Sequence, residues 1–123
     1  TATVADLRDL ENKVTKAMGM RGARYIHILV PCPLGWGAAS EDTILLARLA
    51  KETGIFPVFE AEGGEITDRL KIRRKQPVEE YLKRQKRYAH LFGKKPAVAT
   101  IARLQAAADK NIRKYGLLDQ EAN

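Results

Sequence analysis

The sequence predicts a small α/β unit built from a βαβ unit, a following hairpin and a helical C-terminal tail. Three observations carry that expectation. Two short β-prone runs, Tyr25-Ile26-His27-Ile28-Leu29-Val30 and Phe56-Pro57-Val58-Phe59-Glu60, flank a stretch with helical apolar spacing. Two strands joined through a helix call for parallel pairing in one sheet, because antiparallel neighbours need only a tight turn. Gly63-Gly64 directly after the second run marks a hairpin turn into Glu65 to Ile72.

Each element has its own signal. Val4, Leu7, Leu10, Val14, Ala17 and Met18 recur at helical spacing, which predicts a helix over 4–18. Thr3 and Asp6 form a weak capping box at its start, and Gly19 and Gly22 end it. The run Tyr25 to Val30 follows as a buried strand, stopped by Pro31. Pro31-Cys32-Pro33-Leu34-Gly35-Trp36-Gly37 holds two prolines and two glycines in seven residues, so an irregular, defined loop is expected. Ser40 is placed to cap the next helix, with Glu41 and Asp42 favourable in its first turn. Ile44, Leu45, Ala47, Leu49 and Lys51 continue that helix, and Gly54 ends it. In the second strand Pro57 argues for an edge or a strand start. Pro77 opens a short helix to about Gln85. Pro96 opens a longer one whose stripe is Val98, Ile101, Leu104, Ala108 and Ile112, closed by Gly116. The last seven residues are expected to fray.

Composition sets the outer limits. With 123 residues and 45% hydrophobic content the chain suits one domain, or a piece of one, with a real core. It opens at Thr1 without Met, which leads us to expect a processed or excised piece. One cysteine cannot make an internal disulfide or a four-thiolate site alone, so a secreted cystine scaffold is excluded and a reducing, cytoplasmic setting is expected. No apolar run approaches the roughly 20 residues that cross a bilayer. No basic stretch followed by an apolar one opens the chain as a signal peptide would.

The formal charge of +7 sits in one place. Between Ile66 and Lys95 eleven basic residues stand against Asp68, Glu79 and Glu80, so this segment carries +8 and the rest of the chain −1. Such a patch attracts nucleic acid, phosphorylated ligands or an acidic protein, and the same pattern also fits a solvated face of long side chains. The charge divides the chain into an α/β portion, 1–75, and a basic helical tail, 76–123. That tail is too basic to fold on itself and is expected to pack on the α/β portion or on a neighbouring subunit. Tyr81, Tyr88 and Phe92 lie among its charges as stacking candidates for a nucleic acid, yet their spacing is also that of one buried helix face.

The chemistry-bearing feature is Cys32. Flanking prolines fix the direction of its sulfur, and a loop at the C-terminal end of a strand is where ligands bind in α/β sheets. That suits a metal or cluster ligand. A lone cysteine also fits as a small buried hydrophobe. Nucleophilic catalysis would need a histidine base in reach, and neither His27, in mid-strand, nor His90, in the tail, has a diagnostic spacing. No convergent acid, base and nucleophile set marks the chain as a catalyst on its own.

The residues Tyr25 to Trp36 resemble a segment of the thiamine-diphosphate-dependent 2-oxoacid:ferredoxin oxidoreductases, specifically the C-terminal part of the β subunit in the pyruvate synthase branch. The likeness continues through Leu46-Ala47-Arg48-Leu49-Ala50-Lys51-Glu52-Thr53-Gly54-Ile55-Phe56-Pro57, then Phe59-Glu60 and the hairpin, then Lys75-Gln76-Pro77-Val78-Glu79-Glu80-Tyr81-Leu82. Arg87, His90-Leu91-Phe92 and Ile101-Ala102-Arg103-Leu104-Gln105 fit the end of such subunits. The resemblance implies a part of a thiamine-diphosphate-binding-type fold. It also implies that Cys32 is one of four thiolates on a [4Fe-4S] cluster, with Pro31, Pro33, Gly35 and Trp36 shaping and shielding the loop. The other three thiolates would come from outside this sequence, as would the Gly-Asp-Gly segment that holds Mg²⁺ and thiamine diphosphate. The expected role is therefore a C-terminal fragment or small subunit of a complex that converts a 2-oxoacid to acyl-CoA and CO₂ while reducing ferredoxin. The chain alone is expected to bind no cofactor. Its expected partners are the α-, γ- and δ-type subunits, the N-terminal part of β, ferredoxin and coenzyme A, with no membrane and no nucleic acid. The alternative is a basic nucleic-acid- or protein-binding module without catalysis.

Overall fold

A computed structural model describes residues 1–119. Its order is β1 (Ala2–Thr3), α1 (Leu7–Gly19), β2 (Ile28–Leu29), α2 (Pro33–Trp36), α3 (Thr43–Glu52), β3 (Phe59–Glu62), β4 (Glu65–Arg69), α4 (Val78–Leu82) and α5 (Val98–Tyr115). Two 3-10 segments, Ser40–Asp42 and Lys86–Leu91, precede α3 and follow α4. The class is α/β, as expected.

The sheet differs from the βαβ expectation. β2 pairs in parallel with β1, while β3 pairs with β4 as an antiparallel hairpin, so the strands flanking α3 lie in different ladders. The N-terminal residues intervene. Ala2 N–H donates to His27 O at 2.9 Å on one side. On the other, the Thr1 amino group donates to Phe59 O at 2.9 Å, and Phe59 N–H donates to the Thr1 hydroxyl at 3.0 Å. Residues 1–3 therefore take the place beside the second strand that parallel pairing would have given to the first. The same fact shortens the Tyr25–Val30 run to a two-residue strand, because only Ala2 and Thr3 offer it a ladder. The run is not buried: Tyr25, Ile28 and Val30 are exposed. Helix α1 starts at Leu7 rather than Val4 for the same reason, and Thr3 accepts a hydrogen bond from Ala5 N–H at 3.2 Å instead of capping the helix.

The core is helical. Leu46, Leu49 and Ala50 of α3 meet Val78, Tyr81 and Leu82 of α4, Leu91, and Ile101 and Ala108 of α5. Contacts thus run from the α/β portion into the basic segment. A second cluster joins Ile72 to Ile112 and Leu117, where Ile72 N–H donates to Leu117 O at 2.7 Å. Leu117 is buried, so the chain is held past the point where fraying was expected; the expectation for residues 120–123 lies outside the described residues. Along α5 the predicted stripe is buried at Ile101, Ala108 and Ile112, whereas Val98 in the first turn stays exposed. Gly116, at φ 59°, closes the helix in the left-handed conformation that costs glycine least. The aromatic residues of the tail do not share one helix face: Tyr81 is buried in α4, while Tyr88 and Phe92 pack against the core from the 3-10 segment and just beyond it.

Ion pairs tie the basic segment to the rest. Lys75 reaches Asp109 at 2.7 Å, Lys71 reaches Asp119 at 3.3 Å, and Arg84 reaches Asp42 at 3.5 Å. The hydrogen bond from Lys75 holds the Asp109 carboxyl below the ordinary aspartate value, outweighing burial, which raises it, with further help from the Gln105 amide. A carboxyl lowered in the folded state stabilises that state above its unfolded value, and the gain is lost as pH falls through the folded value. Asp109→Asn should therefore melt lower than wild type at neutral pH, by about 0.2–1 kcal/mol for a solvent-screened pair. The two proteins should converge as pH drops below the carboxylate range. Thermal melts at a series of pH values check this, and a constant gap at all pH values would contradict it.

Candidate functional site

The loop after β2 was expected to lack regular structure, and instead it closes into one helical turn. Pro33 occupies the first position of α2, where its missing N–H costs nothing and its fixed φ suits the helix. Cys32 is the N-cap, and its Sγ accepts a hydrogen bond from Gly35 N–H at 3.4 Å. Gly37, at φ 63°, ends the turn in the left-handed conformation, with its N–H returned to Leu34 O. Gly35 sits close under the sulfur: a Cβ there would lie 3.2 Å from it, so the thiol would have to shift by a few tenths of an ångström. Ser40 does not cap α3 with its side chain; its carbonyl accepts from the Thr43 hydroxyl at 2.7 Å.

Burial around the sulfur is uneven. Pro31 is buried, Trp36 is partly buried against the helical core, and Leu34 is 95% exposed. Cys32 is itself exposed, which overturns its reading as a small buried hydrophobe. A sulfur that faces out, accepts one N–H and sits on a turn stiffened by two prolines can bind an electrophilic partner without rearranging the backbone. The histidines play no part in this. His27 packs edge-on against Phe56 at 5.2 Å and lines a separate cavity of about 380 Å³ with Lys16, Met20, Tyr25 and Glu60. His90 is exposed on the 3-10 segment. Among the described residues, no three His, Cys, Asp or Glu side chains are grouped as a metal site. Among them, too, no helix is long and apolar enough to cross a membrane.

Two residues against this loop carry no local sequence signal. Lys86 N–H donates to Gly37 O at 3.1 Å, and the Lys86 side chain lies so close to Gly37 that a Cβ there would come within 2.6 Å of the Lys86 Cβ. The Arg87 guanidinium lies over the Trp36 ring at 4.0 Å and beside Tyr88 at 4.7 Å. The basic segment therefore grips the cysteine loop, although about 50 residues separate the two in sequence.

A scan against protein-family models finds no match to this chain. Curated proteins do match. The chain is 44% identical over 117 residues to the pyruvate synthase subunit PorB of Methanosarcina barkeri, across 95% of this chain and 40% of that protein. It is 43% identical over 117 residues to the subunit of the same name from Methanocaldococcus jannaschii, across 95% of this chain and 38% of that protein. It is 40% identical over 93 residues to the ketoisovalerate oxidoreductase subunit VorB of Pyrococcus abyssi, across 74% of this chain and 30% of that protein. The chain thus spans 40% or less of the length of these relatives. The resemblance read from the Pro-Cys-Pro loop and the segments after it is borne out by these matches.

Proposed function

We propose, on the premise that this chain belongs with the PorB subunits of pyruvate synthase, that it works as the C-terminal β-subunit portion of a 2-oxoacid oxidoreductase complex. In that reading the complex converts a 2-oxoacid to acyl-CoA and CO₂ and passes the electrons to ferredoxin. Residues 1–75 form part of a thiamine-diphosphate-binding-type fold, and the basic tail 76–123 braces it and meets neighbouring subunits. The observation that carries the proposal is Cys32: the one thiol of the chain is exposed at the head of a rigid turn.

The donor chemistry fits a cluster ligand. Thiolates are the normal ligands of a [4Fe-4S] cluster, and N–H donors to the ligating sulfur are one of the means by which a protein sets the potential. Bound there, the cluster supplies one-electron transfer. Cys32 would serve as one of its ligands through Sγ, and the Gly35 N–H would offset charge on that sulfur. Pro31 and Pro33 fix the backbone, and Trp36 covers the core side of the turn. The remaining three ligands come from elsewhere in the complex. Thiamine diphosphate and Mg²⁺ likewise belong to its other parts, and no residue of this chain is assigned to them.

The test is anaerobic capture of the native complex through a tagged copy of this chain. Iron together with larger co-purifying chains is the expected result. A lone, iron-free chain would overturn the proposal and favour a basic binding module.

A further inference from the structure

We infer that Arg87 is a positioning residue for the Cys32 loop, acting through the Trp36 ring; this rests on the cluster reading above. Different contacts fix the two ends of the loop. Pro31 is buried and Pro33 is locked, so the entry to the turn is set by the chain itself. The exit, at Trp36 and Gly37, is closed by the turn's own bonds, Trp36 N–H to Cys32 O at 2.9 Å and Gly37 N–H to Leu34 O at 3.3 Å, and is braced in addition from outside. Three contacts do this, all from residues 85–88. The Lys86 N–H binds Gly37 O, the Lys86 stem covers Gly37, and the Arg87 plane covers the indole.

Arg87 is itself oriented. Its Nε donates to Gln85 Oε1 at 2.8 Å, and an outer nitrogen approaches the Tyr81 hydroxyl at 3.5 Å. Gln85 is 1% exposed and donates to Tyr81 O at 2.7 Å, so the anchor is a buried side chain between α4 and the 3-10 segment that follows it. One planar group thus bridges a buried amide, a tyrosine ring and the tryptophan four residues after the cysteine. A guanidinium can stack and hydrogen-bond along its edge at the same time, which an ammonium cannot. The plane, rather than the charge, is what sets the loop.

The chain has one tryptophan, so its fluorescence reports this contact directly. The experiment compares Arg87→Ala and Arg87→Lys, each in the isolated full chain and in the anaerobically captured complex, with Cys32→Ser alongside. In the isolated chain both Arg87 variants should shift Trp36 emission to longer wavelength and raise its quenching by iodide several-fold, with lysine failing to rescue. In the complex both should lose iron relative to wild type. Unchanged Trp36 emission in both variants, or full rescue by lysine, overturns the inference. Iron lost in Cys32→Ser but kept in both Arg87 variants overturns the positioning role alone. Iron kept in Cys32→Ser overturns the cluster reading itself.

Discussion

Alanine at Gly54 is expected to destabilise the chain by about 2–5 kcal/mol. Two costs add. Gly54 has φ 80°, a conformation that costs a residue with a Cβ about 1–2 kcal/mol. The new Cβ would also stand 2.6 Å from Ile112 Cγ1 and 2.9 Å from Ala108 O. Both contacts are tighter than side chains tolerate, and one is to helix backbone, so α3 and α5 must separate; overpacking of that kind costs about 1–3 kcal/mol. The shift would also strain the bond from the Asn111 amide to Gly54 O, now 3.0 Å. Gly63→Ala is the control: its φ is 58°, but nothing lies within 4 Å of the added Cβ, so only the conformational cost applies. Urea unfolding of the two variants against wild type gives the comparison. Equal midpoints for the two would contradict the close packing of α5 on the end of α3.

The second large effect is functional. Cys32→Ser should leave the fold intact, because the side chain is exposed and its one hydrogen bond, from Gly35, can be accepted by a hydroxyl. On the proposed cluster role, the same change in the complex removes a soft thiolate from a four-thiolate site, where a serine oxygen is a poor substitute. Electron flow from the 2-oxoacid to a viologen acceptor should fall to background, while the melting temperature of the isolated chain stays within about a degree or two, as for other exposed substitutions. A variant with full activity would show that the thiol carries no electrons.

Local chemistry made the helices and the hairpin legible. The stripe of α5, the Gly116 stop and the Gly63-Gly64 turn each act over a few residues, so the sequence order is enough to see them. Strand pairing was not legible. Ala2–Thr3 has no periodicity to detect, yet it takes the partner position beside the Tyr25–Val30 run and displaces the expected parallel pair. In the site, Cys32, Pro31, Pro33, Gly35 and Trp36 could be named because they are contiguous. Their closure into α2 could have been anticipated, since proline is at home in the first helical position. The grip of Lys86 and Arg87 could not: it joins residues far apart in sequence, and neither the charge run nor the resemblance that includes Arg87 points to the cysteine loop. Likewise the exposure of Cys32, after a short strand whose Ile28 and Val30 are exposed, is revealed only by the tertiary structure.

The central claim is that Cys32 holds one corner of a cluster, and an iron count on the native complex tests it most directly. Complexes captured anaerobically through wild-type and Cys32→Ser chains should differ by one cluster, about four iron atoms per copy of this chain. The low-temperature paramagnetic signal of that cluster should be missing from the variant after reduction. Equal iron in the two complexes, with equal signals, would contradict the claim.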